Sequence, residues 1–225
     1  TNLAYDQDTL KRFLDACSRI DVPVWVYTSA ESTGSKMEYV RDGLDWELWN
    51  SNLDLVLNSG VIANTGICGT ISAAAADGFT DFLYWLADRK RTAPSNSNHS
   101  QGLMLSVNPV RFPTFQSIIV LPREIREQYA LEITEFLKGP DILNLFAPIE
   151  IDHITRYSKY LLEVTAPHQE KYIEHTNNEY QGTVKDADVV ALQKDFKSFF
   201  TQYDQRRGRN FVGTFPRLEK WYNGI

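Results

Sequence analysis

Three stretches of this sequence place polar or nucleophilic residues directly after short apolar runs: 27–41, 64–72 and 108–114. In a parallel α/β unit the loops at the carboxyl ends of strands carry the chemistry, so these stretches are where function is sought first. The thiol of Cys68 falls in one of them and could act as a nucleophile. It has no histidine near it in sequence to serve as a base, so it reads as a plain buried thiol. The run Gly66-Ile67-Cys68-Gly69 matches neither glycine fingerprint for phosphate binding. His168 and His175, seven residues apart, could share a helix face with Tyr172 and Glu179 and suggest a metal. They lack a His-Glu-x-x-His arrangement or a cysteine partner, which favours a solvated face. His99 and His153 are isolated. Arg206, Arg207 and Arg209 form a short basic cluster that could hold a phosphate or carboxylate, or simply complement the end of a helix.

The elements that must position these residues follow from hydrophobic spacing. Leu10, Phe13, Leu14 and Cys17 mark an amphipathic helix over residues 8–20, with Cys17 in the core. The runs 22–27, 61–67 and 103–107 read as buried strands, and 117–121 as a fourth. Asp45 caps a helix whose Trp46, Trp49, Leu53 and Leu57 share a face and which Gly60 stops. Phe79, Phe82, Leu83 and Leu86 mark another over 77–91, and Pro122 opens one that runs to residue 138. Strand and helix thus alternate through residue 138, which predicts parallel strands with right-handed crossovers. After Gly139-Pro140 the spacings are helical over 149–179 and 186–206, so 139–225 reads as a helical extension packed on an α/β part of residues 1–138. No internal repeat is visible.

The chain has 225 residues, a net charge of −6 and 43% hydrophobic residues, the composition of a protein that buries a full core. Its acidity gives no general pull toward nucleic acid or an anionic membrane. No apolar run approaches the length of a membrane span and no leader pattern is seen. Two cysteines cannot build a disulfide scaffold, so a reducing, cytoplasmic setting is expected, where the sequon Asn98-His99-Ser100 carries no weight. The first residues, Thr1-Asn2-Leu3, read as the start of a piece of a longer polypeptide.

The segment Tyr27-Thr-Ser29-Ala-Glu31, then Gly34, then Glu38-Tyr39-Val40-Arg41-Asp-Gly43-Leu-Asp45-Trp46 resembles the radical SAM superfamily, specifically its twitch domain-containing members. In that group a strand ends in Ser-x-Asp or Ser-x-Glu, and Glu-Tyr-Ile-Arg-x-Gly-x-Asp-Trp opens a helix; Val40 stands here in place of Ile. The run Phe199-Phe200-x-x-Tyr203-Asp204-x-Arg206-Arg207, followed by Phe211, Phe215-Pro216, Leu218 and Trp221-Tyr222, also resembles the end of those proteins. The resemblance covers the whole chain but begins late in the family pattern, with Thr1-Asn2 at the position after the third barrel strand. It implies an α/β fold: the second part of a partial (β/α)6 radical SAM barrel with a helical C-terminal extension.

What the resemblance implies about chemistry is specific. The parent enzyme would use S-adenosylmethionine and a [4Fe-4S] cluster to make a 5′-deoxyadenosyl radical that abstracts hydrogen from a substrate carbon. The three cysteines that hold such a cluster belong to the missing N-terminal segment, and Cys17 and Cys68, 51 residues apart, cannot replace them. No cysteine follows Cys68, so no auxiliary cluster is expected either. Ser29 and Glu31 match the strand-end pair near the ribose hydroxyls, and Arg41 matches the arginine for the methionine carboxylate. Asn64, Thr65 and Ser72 are the corresponding candidates on the fifth barrel strand. The parent would need an external electron donor; its substrate, a peptide, nucleotide or sugar, is open, because fold does not fix function. Two other readings compete: a non-catalytic binding or scaffold protein that keeps the fold, and an unrelated α/β enzyme.

Overall fold

The computed structural model describes residues 1, 3–92, 102–163 and 189–225. In chain order it contains α1 (Gln7–Cys17), β1 (Val24–Thr28), α2 (Gly34–Val40), α3 (Trp46–Asn58), β2 (Ile62–Ile71), α4 (Ala76–Thr92) and β3 (Leu103–Pro109). Two 3-10 turns, Thr114–Gln116 and Ile118–Val120, lead into α5 (Arg123–Leu137), α6 (Ile142–Leu145) and α7 (Pro148–Glu163). The C-terminal part comprises α8 (Val189–Arg207), α9 (Phe211–Thr214), a 3-10 turn at Pro216–Leu218 and α10 (Glu219–Gly224).

The three strands form one open parallel sheet in the order β1-β2-β3, as the strand–helix alternation predicts. A complete barrel is not seen among the described residues. Register pairs Trp25 with Asn64 and Tyr27 with Gly66, then Gly66 with Met104 and Cys68 with Ser106. Because side chains alternate across a strand, these residues share one face, and Val26, Thr28, Thr65, Ile67, Leu103 and Leu105 share the other. The second face is buried under helices. There Trp49 Nε1 donates to Thr28 Oγ1 at 3.0 Å, and Trp46, Trp49 and Trp85 pack ring against ring at 5.2–5.7 Å, joining α3 to α4 on one side of the sheet. On the first face Trp25 and Tyr27 are more than half exposed.

Local caps explain most boundaries. Asp6 caps α1 by accepting from Thr9 N, and Asp45 caps α3 by accepting from Leu48 N. Gly60 takes φ +69° just past α3, the left-handed turn expected of a stop. The fourth strand expected over 117–121 is replaced by the 3-10 turns. Ser117 N bonds Thr114 O and Leu121 N bonds Ile118 O, while Ile118, Ile119, Val120 and Leu121 are all buried instead of alternating. A short, wholly buried apolar run suits either structure, and these i to i+3 bonds satisfy the backbone locally. Conversely, the polar stretch after Ser29 contains α2, opened by Gly34 at φ +52°. Of the helical spacings after residue 139, α7 and α8 account for 148–163 and 189–207; the rest of 149–179 and 186–188 lies outside the described residues.

The two sheet edges differ in kind. Beyond β3, Lys90 Nζ donates to Leu103 O at 2.5 Å, and Leu105 N donates to Glu150 Oε1 at 2.6 Å. Lys90 and Glu150 pair at 2.9 Å with side chains 8% and 0% exposed, and Glu150 Oε2 also accepts from Ala147 N. Two side chains thereby occupy the hydrogen-bonding groups that a further strand would use. At β1 the outer edge receives, among the described residues, a contact from the amine of Thr1 to Tyr27 O at 2.9 Å.

Candidate functional site

Past Thr28 the chain runs alongside the end of β2, and this brings the Glu31 carboxylate near the backbone of Thr70. Arg41, at the end of α2, turns its guanidinium onto the same carboxylate: Nη2 and Nε lie 2.6 and 3.2 Å from Glu31 Oε2. The side chains are 4% and 27% exposed. Burial pushes the Glu31 carboxyl above the usual range, against the opposing pull of Arg41. The pair thus sits at the carboxyl end of the sheet, but Glu31 is turned inward onto Arg41. A carboxylate reaching openly into a concavity, which the ribose role implies, is not what is seen. Glu31 is placed to orient Arg41, whose Nε and Nη2 are engaged and whose Nη1 edge is not bonded to Glu31.

The helix that delivers Arg41 is held from the C-terminal part of the chain. Tyr39 OH donates to Asp204 Oδ1 at 2.6 Å, Asp204 Oδ2 accepts from Phe211 N at 2.7 Å, and Tyr203 OH donates to Tyr39 O at 2.9 Å. The Tyr39 ring packs on Tyr203, Phe211 and Phe215 at centroid distances of 5.1–5.9 Å. Burial and the Asp204 charge hold the Tyr39 phenol far above its ordinary pKa, so it serves as a donor. Glu38 Oε1 accepts from Trp46 N at 3.0 Å, and Arg207 pairs with Asp42 at 3.0 Å. The two separated sequence runs that carry the family resemblance therefore meet around Tyr39.

The remaining candidates are dispersed. Ser29 lies just past β1, two residues before Glu31, and is partly exposed. Ser72 follows β2, where its Oγ accepts from Ala75 N at 3.2 Å and helps turn the chain into α4. Asn64 sits near the amino end of β2 on the open face, its Nδ2 at 3.5 Å from Met104 Sδ, and its Oδ1 is buried without a partner among the described residues. Thr65 is 1% exposed and points into the helix-covered face. Asn64 and Thr65 are therefore not gathered with Ser29, Glu31, Arg41 and Ser72. Neighbouring residues on a strand face opposite ways, and about 30 Å of strand separates the two ends of β2.

Cys17 is buried on α1, while Cys68 is half-buried on the open sheet face. Among the described residues no group of three or more His, Cys, Asp and Glu side chains could hold a metal ion. His168, His175, His99 and Asn98 lie outside the described residues. Of the C-terminal arginines, Arg206 and Arg207 line a cleft of about 420 Å³ with Phe115, Phe199 and Tyr203, and Arg209 N donates to Asp204 O.

A buried network was not legible in the sequence. Asp77, 2% exposed at the start of α4, meets Lys36 Nζ at 2.7 Å, Tyr129 OH at 2.9 Å and Arg217 Nε at 3.4 Å. Its members come from α2, α4, α5 and the C-terminal turn, with no common spacing to mark them. Gly78 beside it is required by contact, since a Cβ there would stand 2.8 Å from Ser32 Oγ. Among the described residues no helix is long and apolar enough to cross a membrane. Comparison with family models, with curated proteins and with solved structures finds no match for this chain.

Proposed function

We propose that the chain is the later part of a radical S-adenosylmethionine enzyme, in which Arg41 receives the carboxylate of the cofactor's methionine moiety. One observation supports this reading: a guanidinium fixed on two of its nitrogens by a buried carboxylate, at the carboxyl end of a parallel sheet, with a third nitrogen left for an anion. A pre-oriented arginine loses little freedom on taking a carboxylate, which favours a paired, charge-assisted contact. Glu31 acts here as the positioning residue, and Ser29, two residues before it, is the further candidate at this strand end. The chemistry such a cofactor supplies when bound is a 5′-deoxyadenosyl radical for hydrogen abstraction from carbon. The described residues do not fit a four-iron cluster, because Cys17 and Cys68 stand on different elements; its thiolates would come from another segment.

The test is binding of S-adenosylmethionine by calorimetry to the chain and to Arg41→Ala. Loss of a hydrogen bond to a charged group, about 1.5–3 kcal/mol, predicts affinity weaker by roughly 10- to 150-fold. Unchanged affinity would return the Glu31–Arg41 pair to a purely structural role. A fall in stability without a fall in affinity would favour the competing reading as a non-catalytic scaffold, for which the mutual pairing of the two residues speaks.

A further inference from the structure

We propose that the cavity beyond the carboxyl end of β3, between that strand and α7, binds the phosphate group of a small phosphorylated molecule. The cavity encloses about 610 Å³, within the range that accommodates a metabolite-sized ligand. Its wall is cationic in a chain whose net charge is −6: Arg111, Arg156 and Lys159 line it against one lining carboxylate, Glu163, with Arg156 tied to Asp152 at 2.8 Å. The C-terminal cleft sets Arg206 and Arg207 against Asp195. The groove between α1 and α3 sets Lys11 and Arg89 against Asp15, Glu47 and Asp54.

The same wall carries polar groups that no described residue satisfies. Tyr157 lines the cavity, is 2% exposed, and its hydroxyl has no hydrogen-bond partner among the described residues; nor does Nδ1 of His153 one turn earlier. Burying a hydroxyl without a partner costs stability, so such groups are retained where a ligand satisfies them. Burial holds the Tyr157 phenol well above its ordinary pKa, which keeps it a donor. The strand contributes as well. Leu103 and Leu105 direct their main-chain groups away from β2 to Lys90 and Glu150, and by strand parity Val107 directs its N–H the same way, toward the cavity it lines.

Guanidinium, ammonium, phenol, imidazole and main-chain N–H groups exceed what the two oxygens of a carboxylate can accept, and they suit the three terminal oxygens of a phosphate. The ring of Tyr160, with the Arg111 guanidinium 5.6 Å from its centroid, adds a flat apolar wall for the remainder of the molecule. This inference does not rest on the assignment to radical SAM chemistry, and no cofactor enters its test.

The probe is inorganic pyrophosphate, titrated calorimetrically into the chain at constant salt, with malonate as the dicarboxylate comparison. Pyrophosphate is expected to bind at least about tenfold more tightly than malonate, and Arg156→Ala/Lys159→Ala to weaken it by about tenfold or more. Tyr157→Phe keeps the ring packed on Phe79 and is expected to weaken binding about threefold to tenfold, the value of one hydrogen bond, with an unchanged melting temperature. Lys11→Ala, in the remote groove, is expected to leave it unaltered. If the double variant does not fold, Tyr157→Phe and the shift of the His153 imidazole signals on adding pyrophosphate carry the test. No binding at millimolar pyrophosphate, equal affinity for malonate, or indifference to Tyr157→Phe and the double variant would each overturn the proposal.

Discussion

Replacing Glu150 by alanine tests whether the β3 edge is closed by buried charge. Three donors converge on its carboxylate: Leu105 N at 2.6 Å, Ala147 N at 2.7 Å and Lys90 Nζ at 2.9 Å. Without it, Lys90 keeps the Leu103 carbonyl but lies buried with its charge uncompensated, and two main-chain N–H groups lose their acceptor. Breaking a buried pair from one side costs about 3–5 kcal/mol, and each orphaned amide about 1–3 kcal/mol. The terms share one acceptor group and overlap, so the expected loss is about 4–6 kcal/mol, or a melting temperature roughly 10–20 °C lower. Urea unfolding followed by the fluorescence of Trp46, Trp49 and Trp85 measures it. Burial already pulls the Lys90 amine below its ordinary value, with Glu150 opposing. In the variant that opposition is gone, the lysine sheds its proton more readily, and the loss should be smaller at about pH 9 than at about pH 6. Lys90→Met/Glu150→Leu removes the stranded charge and should recover about 2 kcal/mol or more over the single variant. A loss below about 1 kcal/mol for Glu150→Ala, or no recovery in the double variant, would refute the reasoning.

Gly78→Ala sets two effects against each other: helix propensity gains about 1 kcal/mol, while the new Cβ meets Ser32 Oγ at 2.8 Å and Lys36 Cδ at 3.0 Å, and overpacking costs about 1–3 kcal/mol. Ser32 is fully buried, so a net loss is expected, and an increase in melting temperature would show that the α2–α4 contact yields freely. Tyr39→Phe should cost about 1.5–3 kcal/mol by removing the bond to Asp204, with faster proteolysis of the C-terminal helices; an unchanged cleavage rate counts against the docking described above. Glu31 has a carboxyl raised above its ordinary 4.5, so the folded state holds that proton more tightly than the unfolded state. Its contribution to stability therefore falls as pH rises from about 4.5 through the raised value, and Glu31→Gln should flatten the slope of urea midpoint against pH there. A slope identical to that of the parent chain would remove burial as the dominant influence on Glu31.

The strands and their parallel order were readable because each is a short β-branched or aromatic run followed by a helical spacing, and right-handed crossovers leave little choice of arrangement. Asp45 and Gly60 were readable as cap and stop because their roles are local. What lay hidden depends on partners far along the chain. Tyr39 meets Asp204 across 165 residues and Lys90 meets Glu150 across 60; the Glu31–Arg41 pair, by contrast, is the ion pair their short spacing allows, with the carboxylate buried instead of at the surface. The run 117–121 misleads because complete burial erases the alternation that distinguishes a strand. Thr65 misleads for the opposite reason: it sits in the expected strand, yet one step of the pleat turns it to the covered face.

The unequal edges of the sheet bear on how copies of this chain can meet. Edge-to-edge pairing through β3 is closed off by Lys90 and Glu150, which leaves β1 as the side on which a second sheet could add. Two copies joined there by a twofold axis would form a continuous six-stranded sheet, antiparallel at its centre, since each contributes three strands. Both outer rims of that sheet would then be sealed β3 edges. Among the described residues, β1 is thus the strand edge that a second copy, or any further strand of the same polypeptide, could use, and growth through β3 is blocked in either case.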